Sequence, residues 1–266
     1  MCVYMPVPFF ATTVMPALPS FFSLFNATQP PESQLTQTLV GAINNSVSVT
    51  LTLTTTGSLA HGTLLYMRSG IAIPVVGTLA GDELLLHEFD RKGNVTGIHL
   101  GKWSRAGYSG TWSSPSLPSR SLAFSLSTVR QLEEPRAKLA DLTGLYQYGY
   151  SAKNRFSQVH IQQMGEKILA VAMLAVTDEP VQNQLTVSKT TVKLAGNMAV
   201  FSNSSIATSP LKLAFFNGGA TICLSGAPTM TAAQDVTQGA DMVVGHYIRT
   251  STKPPQFSVD ELARIV

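Results

Sequence analysis

Five histidines, His61, His87, His99, His160 and His246, are the side chains of this sequence best suited to proton transfer or metal ligation near neutral pH. None forms an H-x-H, H-x-x-x-H or Cys/His cluster, so no metal site is expected from local spacing, and no cofactor. His87-Glu88 and His99 fall on consecutive expected strands and could meet across a hairpin, but adjacent residues point to opposite faces, so His87 and Glu88 should not share one site. All three are expected as polar residues of a surface or rim. Acyl transfer needs a nucleophile, a base and an oxyanion site; no G-x-S-x-G elbow occurs. Ser209-Pro-Leu-Lys212 matches S-x-x-K in letters, but Pro210 places it at a strand start rather than on a helix face. The acidic pairs Asp82-Glu83 and Asp178-Glu179 sit at turns, where carboxylates serve solubility and capping. No phosphate-binding glycine loop is present. Cys223 lies in a strand-like run without a nearby cation and reads as a small buried hydrophobe.

Aromatic residues offer binding chemistry instead. Tyr146, Tyr148 and Tyr150 fall on one face of a strand; Tyr108 and Trp112 share another face, with Trp103 one hairpin away. Such a face can stack on sugars or anchor a protein. Tyr146, Tyr148, Tyr150, Tyr108 and Trp103 are therefore the ligand-binding candidates. The competing reading places large aromatics, Trp112 among them, inside barrel cores.

The elements that must position these residues are β-strands. From Ser46 onward the apolar period is two: Val47, Val49, Leu51 and Leu53 alternate with Ser48, Thr50, Thr52 and Thr54. Further strands are expected at 63–68, 71–79, 83–89, 95–103, 108–113 and 120–127, separated by Gly- and Asn-containing turns. The charge-dense stretch Val129 to Asp141 reads as an inter-domain linker. Strands resume at 145–150, 157–164, 167–176, 184–195, 198–202, 211–216, 220–224 and 242–248, with 167–176 a continuous apolar run that fits strand or helix. Regular short strands between turns indicate an all-β chain of two small antiparallel barrel-like domains, 43–128 and 142–252. A polar linker at 28–42 precedes them, and a tail at 253–266 carries a short helix capped by Ser258.

Composition bounds the function. The chain has 266 residues, 12% of them charged, with a net charge of +3; soluble domains average ~25% charged. No Lys/Arg cluster supports nucleic-acid binding. No second uncharged apolar run approaches the ~18 residues of a membrane helix. Residues 1 to 31 carry no charge. Residues 1–27 are expected to be a degenerate signal peptide lacking an n-region cation; a misassigned start and a membrane anchor follow in that order. Once processed, the chain is expected to show no strong membrane association.

Val75-Val-Gly-Thr-Leu79, Glu88-Phe-Asp-Arg-Lys-Gly-Asn-Val-Thr-Gly97 and Ser109-Gly-Thr-Trp112 resemble a meander of secreted and periplasmic tandem β-barrel-like proteins of Gram-negative bacteria. Leu211-Lys-Leu-Ala-Phe-Phe-Asn217 and Val243-Val-Gly-His-Tyr-Ile248 are similar to the closing strands of the second module. The resemblance implies the fold and a periplasmic or secreted location, and carries no catalytic residue. Paired cysteines often staple that module, whereas only Cys223 lies in the region here. The expected function is a non-enzymatic binding protein for a protein or glycan of the envelope, for example an inhibitor of a cell-wall-degrading enzyme. The alternatives are a hydrolase at the domain interface using His87 or His99, and a structural envelope protein.

Overall fold

The computed structural model describes residues 33–150, 155–177, 183–202, 210–224 and 240–256. The expected leader and the helix from Ser258 lie outside these residues. Two closed antiparallel barrels of eight strands each follow one another along the chain. The first comprises β1 (Ser33–Ile43), β2 (Val47–Thr56), β3 (Leu59–Tyr66), β4 (Ile71–Ala80), β5 (Glu83–Phe89), β6 (Val95–Trp103), β7 (Gly107–Ser114) and β8 (Leu117–Pro135). Neighbours in sequence pair with one another, and β8 closes on β1. The second comprises β9 (Gly144–Tyr150), β10 (Arg155–Gln163), β11 (Ile168–Thr177), β12 (Asn183–Ala195), β13 (Met198–Phe201), β14 (Leu211–Phe216), β15 (Gly219–Leu224) and β16 (Gly245–Ser251), which closes on β9. A single helical turn, α1 (Ala240–Val243), packs against β10 and β11.

Alternation fixes which side chains fill each barrel. Leu39, Leu51, Leu53, Leu64, Val75, Leu84, Leu86, Phe124 and Leu126 form the first core. The first turn is tight, and its residues Asn44 and Asn45 both take positive φ, as a hairpin with right-handed twist requires. Period-two burial is lost in β11, where every residue from Leu169 to Val176 is buried. That run is a strand, and its outward Ala170, Ala172 and Leu174 are enclosed as well.

Two expected linkers are strands. Residues 33–42, read as part of a polar linker, form most of β1; Gln37 points inward there, fully buried, and hides the alternation. Residues 129–135 continue β8, and 130–135 pair with β1 as far as Ser33↔Pro135. Both faces of that stretch are exposed, so no burial period marks it. The connection between the barrels is therefore 136–143. It is held to the second barrel: Asn197 Nδ2 donates to Ala137 O at 2.9 Å, Leu139 N to Asn197 Oδ1 at 3.0 Å, and Arg249 Nη1 to Asp141 O at 3.0 Å.

The barrels meet wall to wall. Val76, Phe89 and Val95 of the first belong to the apolar cluster that fills the second. The loop between β5 and β6 acts as a key. Asp90 Oδ1 accepts from Lys92 N and Asn94 N at 2.8 and 2.9 Å, and Asn94 Nδ2 donates to Asp90 Oδ2 at 2.9 Å. Gly149 N then donates to Gly93 O at 2.8 Å, and Asn94 bridges Gly149 in parallel. A Cβ on Gly149 would lie 2.4 Å from Asn94 Oδ1. Gly149→Val is therefore expected to force the key out, with a loss of about 1–3 kcal/mol. Denaturant unfolding should then split into two transitions, with one expected of the wild type; a single unshifted transition in the variant would contradict the keyed interface.

Candidate functional site: two polar clusters and a groove

The five aromatic candidates build cores. Tyr108 is 1% exposed inside the first barrel, its hydroxyl donating to Leu84 O at 3.0 Å, with Trp103 packed 5.8 Å away edge to face. Tyr146 is buried in the second barrel and donates to Leu142 O at 2.9 Å. Burial raises its pKa to about 12, and pushes that of Tyr108 up as well. Tyr148 is buried against Tyr247 and Phe89, with the Arg155 guanidinium 5.3 Å above its ring. Tyr150 is half-buried and faces His87. Tyr146 and Tyr148 are thus enclosed and Tyr150 half-covered, so they present no open stacking face.

Glu88 and His99 are not rim residues. Each is 2% exposed in the first barrel. Glu88 has the parity of the core residues Leu84 and Leu86, so it points inward. One oxygen, Oε1, receives three groups: Tyr66 Oη at 2.9 Å, His99 Nε2 at 2.6 Å and Trp112 Nε1 at 3.0 Å. Strand alternation turns the Glu88 carboxylate in and the Phe89 ring out toward the second barrel, and the extra residue opposite them, Thr96, lies in β6. Gly97 leaves the necessary room, since a Cβ there would sit 2.6 Å from Trp112 Nε1. Desolvation, then the Glu88 charge, raises the Tyr66 pKa strongly. Tyr66 therefore stays a neutral donor.

The second cluster is a histidine seam between the barrels. His246 is fully buried, with Nδ1 3.1 Å from Thr221 Oγ1 and Nε2 3.3 Å from Thr78 Oγ1 of the opposite barrel. His87 meets the His246 ring at 5.7 Å, and its Nδ1 is enclosed without a partner. His61 stacks on Phe216 at 4.6 Å. Burial lowers the pKa of His61 and His87 to about 4 and of His246 to about 3; Arg136 adds to the effect at His61, and His87 at His246. These rings are neutral spacers at neutral pH.

Among the described residues, no histidine is hydrogen-bonded to both a nucleophile and a carboxylate: His99 has only Glu88, and His246 only two threonines. No group of three potential metal ligands occurs among them. Burial raises the Cys223 pKa, as expected of an inert thiol. Asp82 is exposed and paired with Lys102 at 3.0 Å. Ser209 and the pair Asp178-Glu179 lie outside the described residues.

A concave feature that sequence reasoning missed lies in the wall of the second barrel. β12 and β13 pair at only two positions, Leu194↔Ala199 and Ala195↔Met198. Among the described residues, Thr190–Lys193 beyond them pair only with β11, and Val200 and Phe201 only with β14. The opening is a groove of about 550 Å³ lined by Thr191, Lys193, Met198, Val200, Ser202 and Lys212, among others. Val200 is 54% exposed within it. The brevity of β13 is its sequence signal. No protein-family model, curated protein or solved structure matches the chain.

Proposed function

We propose that this chain is a non-enzymatic binding protein of the periplasm or the secreted space that takes a protein or glycan ligand. An inhibitor of a cell-wall-degrading enzyme is one concrete form. The observation that carries the reading is the groove between β12 and β13. Among the described residues both walls are strand edges without a ladder partner toward the groove, which suits addition of an extended peptide. Lys193 and Lys212 at its rim favour acidic ligands. The charge-poor, Ser/Thr-rich composition and the absence of charge in residues 1–31 support an exported location.

The test compares the wild-type chain with Val200→Glu and with Lys193→Glu/Lys212→Glu on immobilised protein, challenged with envelope extract and with peptidoglycan fragments. Specific retention by wild type, reduced at least about tenfold in both variants, is expected. No specific retention, or retention indifferent to both variants, would remove the groove as the binding site. Retention of glycan alone would assign the groove to sugar rather than peptide.

A further inference from the structure

The second half of β8 is an open sheet edge. Its pairing with β7 ends at Ser127↔Gly107, and Thr128 N donates to Ala106 O at 2.9 Å. Among the described residues, Arg130 to Pro135 pair with β1 alone, Val129 is a bulge, and all seven residues from Val129 to Pro135 are exposed. Val129 is 60% and Leu132 46% exposed. Natural sheets rarely leave such an edge untreated, because its free N–H and C=O groups recruit other strands. We propose that this edge pairs antiparallel with the same edge of a second copy of the chain, centred on Leu132.

The choice of partner and register follows from the side chains. Arg130, Leu132 and Glu134 lie on one face, opposite Thr38, Thr36 and Gln34; Gln131 and Glu133 lie on the other, opposite Gln37 and Leu35. A twofold axis perpendicular to the sheet places same-face residues opposite one another. Centred on Leu132, it sets Arg130 against Glu134 of the partner subunit, and Glu134 against Arg130 of the partner subunit. The two leucines meet between these ion pairs. Centring on Arg130 or on Glu133 opposes like charges instead, and centring on Gln131 pairs Arg130 with leucine. Opposed charges across an antiparallel pair stabilise it, and like charges destabilise it. The Gln34 amide already donates to Glu134 Oε1 at 3.0 Å, which holds that side chain in place and leaves Oε2 for the arginine. The charges that guard the edge against foreign strands thus match a copy of themselves. Pro135 ends the pairing, since it has no N–H to donate. The bulge at Val129, an extra β8 residue between the partners of Leu39 and Thr38, ends it on the other side.

Five to seven paired residues make a small interface, so the dimer is weak and concentration-dependent. Sedimentation velocity of the full chain over a wide concentration range tests it. The weight-average mass should rise toward that of a dimer and fall back with added salt. Arg130→Glu and Glu134→Arg should each hold the chain monomeric, and the double exchange Arg130→Glu/Glu134→Arg should restore dimerisation. All four residues in these pairs are exposed, so circular dichroism should be unchanged, and Leu132→Lys provides an independent disruption. A monomer at every concentration, or a double exchange that fails to restore association while folded, would overturn the proposal.

Discussion

Glu88→Ala should cost the first barrel about 3–5 kcal/mol, the largest single-residue effect expected in the molecule. The substitution removes the one acceptor shared by Tyr66, His99 and Trp112 and leaves three donors in a dry interior. A methyl group also leaves a cavity where the carboxylate stood. Urea unfolding followed through tryptophan fluorescence measures the loss. Glu88→Gln keeps an amide oxygen in nearly the same place and should lose less. Tyr66→Phe deletes one donor and leaves the carboxylate with two, so a loss of about 1–1.5 kcal/mol is expected. Equal losses for all three variants would mean that the site responds to volume and not to hydrogen bonding.

Acid should loosen the contact between the barrels well above the pH at which carboxylates titrate. His61, His87 and His246 have pKa values depressed by burial to about 4, 4 and 3. Freed by unfolding, each returns toward about 6.5. The folded form therefore binds fewer protons than the unfolded one, so its stability is complete above pH 6.5 and declines as pH falls toward 4 and then 3. At pH 5 the loss is on the order of 2 kcal/mol for each histidine. His160, lowered by desolvation too, acts in the same direction. The groups facing the seam offer no compensation. His246 meets Thr78, Thr221 and His87; His87 meets Tyr148 and Tyr150; His61 meets Phe216 and lies near the Arg136 cation. Denaturant midpoints at pH 7.5 and pH 5 should differ strongly in the wild type. The difference should shrink in His87→Phe/His246→Gln, and equal midpoints in the wild type would refute the seam as the acid-labile element.

The strands were legible wherever one face is wet and turns carry Gly or Asn. Glu83–Phe89, Val95–Trp103 and Leu211–Phe216 match their expected bounds residue for residue. Reading failed where burial does not alternate. Gln37 puts a polar group inside β1, and the end of β8 is wet on both faces. β11 is buried on both faces, which leaves its run open to strand or helix, and it forms the strand. Spacing placed Tyr146, Tyr148 and Tyr150 on a common face, but the sense of that face depends on closure of the barrel by β16 on β9, a contact about a hundred residues distant in sequence. The parity of Leu84, Leu86 and Glu88 did point the carboxylate inward; the usual exposure of glutamate argued the other way and was the poorer guide. The histidine seam joins residues from opposite barrels, and no local pattern foretells it.

The loop from Asp90 to Asn94 is shaped by its own residues. Asp90 ties down two backbone amides and the Asn94 side chain, all within the first barrel, so its form does not depend on the second. When β9 emerges from synthesis, Gly149 meets a surface whose ordering entropy has already been lost. The first barrel is complete at Pro135, before any strand of the second exists, and it carries Val76, Phe89 and Val95 on its outer wall. The first barrel thus presents to the second a surface that combines these apolar side chains with the Gly93 carbonyl.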